Sequence, residues 1–151
     1  MMDAVNKNAQ KEAKQVLQYL AENRGKKIIL GQHTQTMGQE ELKYIQDVTG
    51  KLPALCGFEL LGYSPNIQYE HSGEECLQEV YAAQNTLKRA WDWAEKRGLL
   101  TFTWHWFSPL GGRDKSFFSE NTDFQTELAV VEGTPEYYAL LSDMDYMAGL
   151  L

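Results

Sequence analysis

Three polar side chains at the ends of apolar runs could do chemistry in this chain: His33, Glu59 and His105. His105 stands between two indoles, Trp104 and Trp106, where a β-rich apolar run over 99–106 gives way to a loop with Pro109, Gly111 and Gly112. Imidazole donates and accepts hydrogen bonds near neutral pH, and a carboxylate accepts them in pairs. Indole and phenol rings add flat apolar faces with a polar edge. With Tyr63 and Phe107 nearby in the pattern, the set suits a ligand with paired hydroxyls and C–H faces. For acid–base work Glu59 would need a second carboxyl. Asp114, Glu120 and Asp123 are available in the polar loop 108–133, but sequence spacing sets no distance, and solvated loop charge is the default for them.

The elements that would position these groups alternate. Residues 4–23 read as a helix with Val16, Leu17, Leu20 and Ala21 on one stripe, ended by Arg24-Gly25. A strand over 27–33 precedes a helix over 38–48 that carries Leu42, Ile45 and Val48 on one face. A second strand over 54–61 leads through Gly62-Tyr63-Ser64-Pro65 into a long helix over 74–97, with Leu77, Val80, Tyr81, Leu87, Trp91 and Ala94 as its apolar face. Strand three covers 99–106. After the long loop, Thr134-Pro135-Glu136 provides an N-cap, a first-turn proline and an acidic first turn for a last helix. Strand–helix alternation predicts parallel strands.

Side chains alternate along a strand. Ile29, Gly31 and His33 share one face, as do Leu55, Gly57 and Glu59, and Thr101, Thr103 and His105. Each series ends in a polar group at its C-terminal end. Ile28/Leu30, Ala54/Cys56/Phe58 and Phe102/Trp104 occupy the other face and suit packing under helices. That phase agreement predicts an α/β barrel with three polar groups converging on the C-terminal mouth, where barrel sites are built. Trp104 reads as core, and Trp91 and Trp93 as helix packing.

Composition narrows the function classes. The chain has 151 residues, 43% hydrophobic and 23% charged, as expected of one domain or part of one. A net charge of −7 with no Lys/Arg-rich run argues against nucleic acid and anionic membranes as partners. No run approaches the roughly 20 apolar residues of a membrane span. Residues 1–18 are polar, without the apolar stretch of a signal peptide. Cys56 reads as core, and a Cys56–Cys76 disulfide is left open. No cluster has metal-ligand spacing and no phosphate-cradling glycine motif occurs, so neither metal nor cofactor is expected. No G-x-S-x-G nucleophile elbow occurs either. Asp143 and Asp145, on the last helix, read as surface or cap residues.

Five segments in order carry a resemblance. They are Gly31-Gln-His-Thr34, residues 50–59 (GKLPALCGFE), Tyr63-Ser-Pro65, Thr101-Phe-Thr-Trp-His105 and residues 115–122 (KSFFSENT). Together with residues 133–138 and 142–148 they resemble glycoside hydrolase family 26, which includes the β-mannanases. The resemblance covers the chain from about residue 26 onward. It implies the N-terminal portion, about three βα units, of a (β/α)8 TIM barrel: one partial domain over 1–151, with a leading helix 4–24 and units 27–50, 54–97 and 99–151.

It implies a parent enzyme that hydrolyses β-1,4-mannan internally with retention, through an acid/base glutamate and a nucleophile glutamate. Those two lie at the ends of the family's fourth and seventh strands. No position here matches either, so the catalytic residues are expected beyond residue 151 and this chain alone is expected to be inactive. The resemblance places His105 among sugar hydroxyls. Trp106 and Glu59 depart from the commonest residues of the pattern, with Gly62 near another frequent Asp. The candidate substrate-binding set is His33, Glu59, Tyr63, His105 and Trp106. The expected partner is a β-linked polysaccharide or oligosaccharide, and the expected location is secreted or cell-surface. Xylan or mixed-linkage glucan is the alternative substrate. A non-catalytic carbohydrate-binding or assembly module is the alternative function, with the remaining half-barrel or a second copy covering the open sheet edges. A complete small α/β protein with another activity is the third option, disfavoured because a three-stranded sheet buries its two faces poorly.

Overall fold

A computed structural model describes residues 4–96, 98–110 and 122–151. Three strands, β1 (Gly31–Thr34), β2 (Leu55–Glu59) and β3 (Leu99–Thr103), form one sheet in the order β1-β2-β3. Both pairings are parallel. His33 lies beside Gly57 and Gly57 beside Thr101, and Glu59 pairs with Thr103. That register puts Gly31/His33, Leu55/Gly57/Glu59 and Thr101/Thr103 on one face, as the alternation requires.

The other face carries the core. Cys56 and Phe58 are fully buried and pack with Leu42 of α2 (Glu40–Thr49) and Ala90 and Trp93 of α4 (Thr86–Glu95), with Phe102 against them. The Trp93 indole donates to Leu99 O at 2.8 Å, which ties the end of α4 to the start of β3. A Cβ at Gly98 would run into that indole. A second cluster joins Leu61, Phe107, Cys76 and Val80 of α3 (Glu74–Ala82), and Ala83. Cys56 and Cys76 sit in these separate clusters, and no disulfide links them.

Several elements differ from expectation. The single helix over 74–97 is two, α3 and α4, because Asn85 takes a left-handed conformation (φ 57°). Thr86 Oγ donates to Ala83 O, and the Arg89 guanidinium reaches back to Ala82 O and Gln84 O. These contacts satisfy carbonyls that a continuous helix would have bonded. The break rotates the helix face, so Trp93 is inside (7% exposed) and Trp91 outside (69%). Trp91 had been expected on the buried face.

The strands are shorter than their apolar runs. β1 starts at Gly31, leaving Ile28 (87% exposed) and Leu30 uncovered rather than packed under helices. β2 ends at Glu59, and Leu61–Tyr63 forms a 3-10 turn. β3 stops at Thr103, short of the 99–106 run. The first helix, α1, spans Lys11–Asn23 rather than 4–23, and its apolar stripe buries no residue. The loop 108–133 contains a 3-10 helix over Thr126–Val130. α5 (Pro135–Ala148) begins as expected, with Thr134 Oγ accepting from Tyr137 N. Asp114, Glu120 and most of segment 115–122 lie outside the described residues.

Candidate active-site mouth

Glu59 and His105 meet at the C-terminal ends of β2 and β3. Glu59 is 5% exposed. Its Oε1 accepts from Leu61 N (2.8 Å) and His105 N (3.1 Å), and its Oε2 lies 2.8 Å from His105 Nδ1. One carboxylate therefore fixes the His105 backbone and one ring nitrogen together. When Nδ1 carries the proton and donates to Glu59, Nε2 is left as an acceptor. Leu60 N donates to Thr103 O at 2.7 Å and holds the two strand ends side by side.

His33 is half-buried on the same face. Its ring lies across Gly57, where a Cβ would stand 2.6 Å from His33 Nδ1. Gly57 is thus what lets the imidazole lie over the sheet. Tyr63 is half-buried, and its hydroxyl accepts from Leu87 N at 3.3 Å. That bond ties the 3-10 turn to the start of α4.

Trp106 belongs to the loop after β3. Its ring meets Phe124 edge-on at 4.8 Å and lies 6.1 Å from Trp104. Its indole N–H donates to Asp143 Oδ2 at 2.7 Å. Asn66 Nδ2, in the loop after β2, donates to the same oxygen at 2.6 Å and to Phe107 O. Ser64 Oγ accepts from Phe107 N. Two loops from adjacent strand ends are laced together, and α5 is pinned to both. Asp143 is 7% exposed, which corrects the surface reading; Asp145 is exposed.

Sequence reasoning missed Asn66, Ser64 and Asp143. Asn66 carries no signal beyond a polar loop, and Ser64 none beyond its place in the Tyr63-Ser-Pro65 segment. Asp143 does: Glu136, Asp143 and Met147, with Leu140 between them, recur at helical spacing and form the inward face of α5. Trp104, read as core, is half-buried with its indole nitrogen out of solvent and without a hydrogen-bond partner. Among the described residues no group of three or more His, Cys, Asp or Glu could hold a metal ion. No helix among them is long and apolar enough to cross a membrane.

Comparison with known proteins matches residues 5–151 to glycosyl hydrolase family 26. The chain belongs to that family. It is 30% identical over 95% of its length to a mannan endo-1,4-beta-mannosidase from Thermothelomyces thermophilus, and 31% identical over 96% to mannan endo-1,4-beta-mannosidase A from Piromyces. It spans 28% and 23% of those two proteins, so it covers about a quarter of the curated relatives it matches. Among solved structures it superposes on a Podospora anserina GH26-CBM35 β-(1,4)-mannanase. The TM-score is 0.72, with 28% identity over 95% of this chain and 31% of that one. A ruminal GH26 endo-β-1,4-mannanase gives 0.71 and 27%, over 99% of this chain and 32% of that one. These neighbours are TIM-barrel enzymes, and the three parallel βα units here form part of such a barrel.

Proposed function

We propose that residues 1–151 form one partial barrel domain supplying sugar-binding surface to an enzyme that hydrolyses β-1,4-mannan internally with retention. The observation that carries this is the Glu59–His105 pair at the mouth, with Trp106 anchored in the next loop positions. An imidazole held through one ring nitrogen by a buried carboxylate is a fixed hydrogen-bonding group for a sugar hydroxyl, and an indole face suits the C–H side of a pyranose. His33 and Tyr63 complete the binding set. The ligand class follows from relatives that are named mannan endo-1,4-beta-mannosidases.

Glu59 does not take a catalytic role in this reading. Both its oxygens are engaged with His105 and backbone amides, so it orients a histidine rather than meeting a scissile bond. The acid/base and nucleophile, about 5–5.5 Å apart in a retaining enzyme, belong to the larger part of the relatives' length that this chain does not cover. The enzyme acts outside the cell, where its polymeric substrate is found. The test is reducing-sugar release from β-mannan, xylan and mixed-linkage glucan by the 151-residue chain, with Glu59→Ala beside it. The expected result is no release from any of them. Turnover that disappears in Glu59→Ala would overturn the assignment and make Glu59 an acid.

A second reading, a binding or assembly module, has one observation in its favour: β1 and β3 are the edges of the sheet, and β3 is largely exposed. Unpaired parallel edges invite a cover. The sedimentation or size-exclusion mass of the chain distinguishes the two. A dimer supports edge pairing between copies, and a stable monomer removes that reading.

A further inference from the structure

We propose that Asp143 is a positioning residue for the Trp106 sugar face, an inference that rests on the sugar-binding reading above. Asp143 comes from α5, some 37 residues along the chain from Trp106. Its Oδ2 accepts two hydrogen bonds, from the Trp106 indole at 2.7 Å and from Asn66 at 2.6 Å. Among the described residues no cation pairs with it.

A buried carboxylate without a cation is a poor way to dock a helix. Its desolvation costs several kcal/mol, and replacing such a group together with its partners by apolar side chains is often neutral or stabilising. What the carboxylate adds is direction. Ring contacts such as those with Phe124 and Trp104 leave an indole freer to slide or rotate in its plane than a hydrogen bond does. One short bond from Nε1 removes that freedom. The second bond ties the same oxygen to Asn66, which also donates to Phe107 O, so the ring angle is set relative to both strand-end loops. Asp143 thereby fixes the orientation of the Trp106 ring relative to the loops after β2 and β3. A glycan with an equatorial or an axial hydroxyl next to its stacking face would sense that orientation, so Asp143 acts on specificity through Trp106.

The experiment uses the full chain labelled with 15N at the indole nitrogens, with Trp106→Phe identifying the resonance. Binding is measured with a β-1,4-linked mannohexaose, with cellohexaose as the comparison, on the wild type, Trp106→Ala, Asp143→Leu and Asp143→Asn. The Trp106 indole proton is expected downfield and slow to exchange in the wild type, and upfield and fast in Asp143→Leu. Asp143→Leu orphans the Trp106 and Asn66 donors, so it is expected to melt below the wild type while staying folded, and to bind mannohexaose about tenfold more weakly. Asp143→Asn keeps an oxygen acceptor and is expected to restore binding to within about threefold, since a neutral acceptor bonds more weakly than a charged one.

An unmoved Trp106 resonance in Asp143→Leu overturns the inference. So does wild-type affinity in Asp143→Leu while Trp106→Ala is weakened. If both Asp143 variants unfold, Asp143 is a structural residue and the inference fails. If wild type or Trp106→Ala shows that Trp106 has no part in mannohexaose binding, the sugar-face reading falls, whatever the indole resonance does.

Discussion

The two ends of the same three strands are built in opposite ways. At the C-terminal end, hydrogen bonds of 2.6–3.4 Å join Glu59 to His105 in one set and, in another, Asp143 to Trp106 and Asn66 and through Phe107 to Ser64. At the N-terminal end, Val16 and Tyr19 of α1 face Leu52, Pro53, Trp93 and Leu99 across a groove of about 710 Å³. A neighbouring groove of about 520 Å³ runs along Ile28, Leu30 and Ile45. Hydrogen bonds are directional, and a buried set of them specifies one geometry. Apolar contact is proportional to area and carries little direction. The mouth is therefore specified within this chain, whereas the base offers apolar surface that α1 does not fill.

Five changes break or sharpen that contrast. Phe58→Ala removes the fully buried ring on which both ends rest, and should cost about 3–5 kcal/mol in urea unfolding. Glu59→Ala orphans the buried amides of Leu61 and His105, at about 1–3 kcal/mol each; it should also broaden or shift the His105 ring signals in NMR. Gly57→Ala places a methyl 2.6 Å from His33 Nδ1, so the ring must move, at about 1–3 kcal/mol. Its His33 resonances should shift while those of His105 hold.

The fourth is a pH effect. Burial raises the Cys56 thiol from 9.0 to about 11, with the Glu41 charge adding to it. The folded state holds this proton more tightly than the unfolded chain. Stability from this group is thus complete below about pH 9 and falls as pH rises towards about 11, and Cys56→Ala should flatten that part of the unfolding curve. At the base, Val16→Ser should change stability by no more than about 0.5 kcal/mol, since its side chain is 43% exposed. A much larger loss would show that the groove is closed in solution.

Much of the fold was legible because it rests on local periodicity. Alternation placed His33, Gly57, Glu59 and Thr101 on one face, and the parallel register keeps them there. Thr134-Pro135 announced α5. The misreadings share a cause. The stretch 74–97 is helical throughout by composition, and its break depends on Asn85 and on an arginine reaching back across the gap. Ile28 and Leu30 look like strand core, yet they are covered only if something packs on them. The site was legible as a set of residue types at strand ends, but not as a division of labour. Glu59 reads as a ligand-binding group in sequence, and the contact with His105 that its carboxylate makes in space has no signal there.

The sequence alone determined the order of the three strands, the face on which His33, Gly57, Glu59 and Thr101 lie, and the resemblance that fits the chain to family 26. These follow from repeats of 2 and 3.6 residues and from short segments in order. The tertiary structure decided which carboxylate serves which ring. Glu59 finds His105 across 46 residues, and Asp143 finds Trp106 across 37. No local pattern encodes such pairs, because they exist only once strand register and helix docking bring the partners within hydrogen-bonding distance.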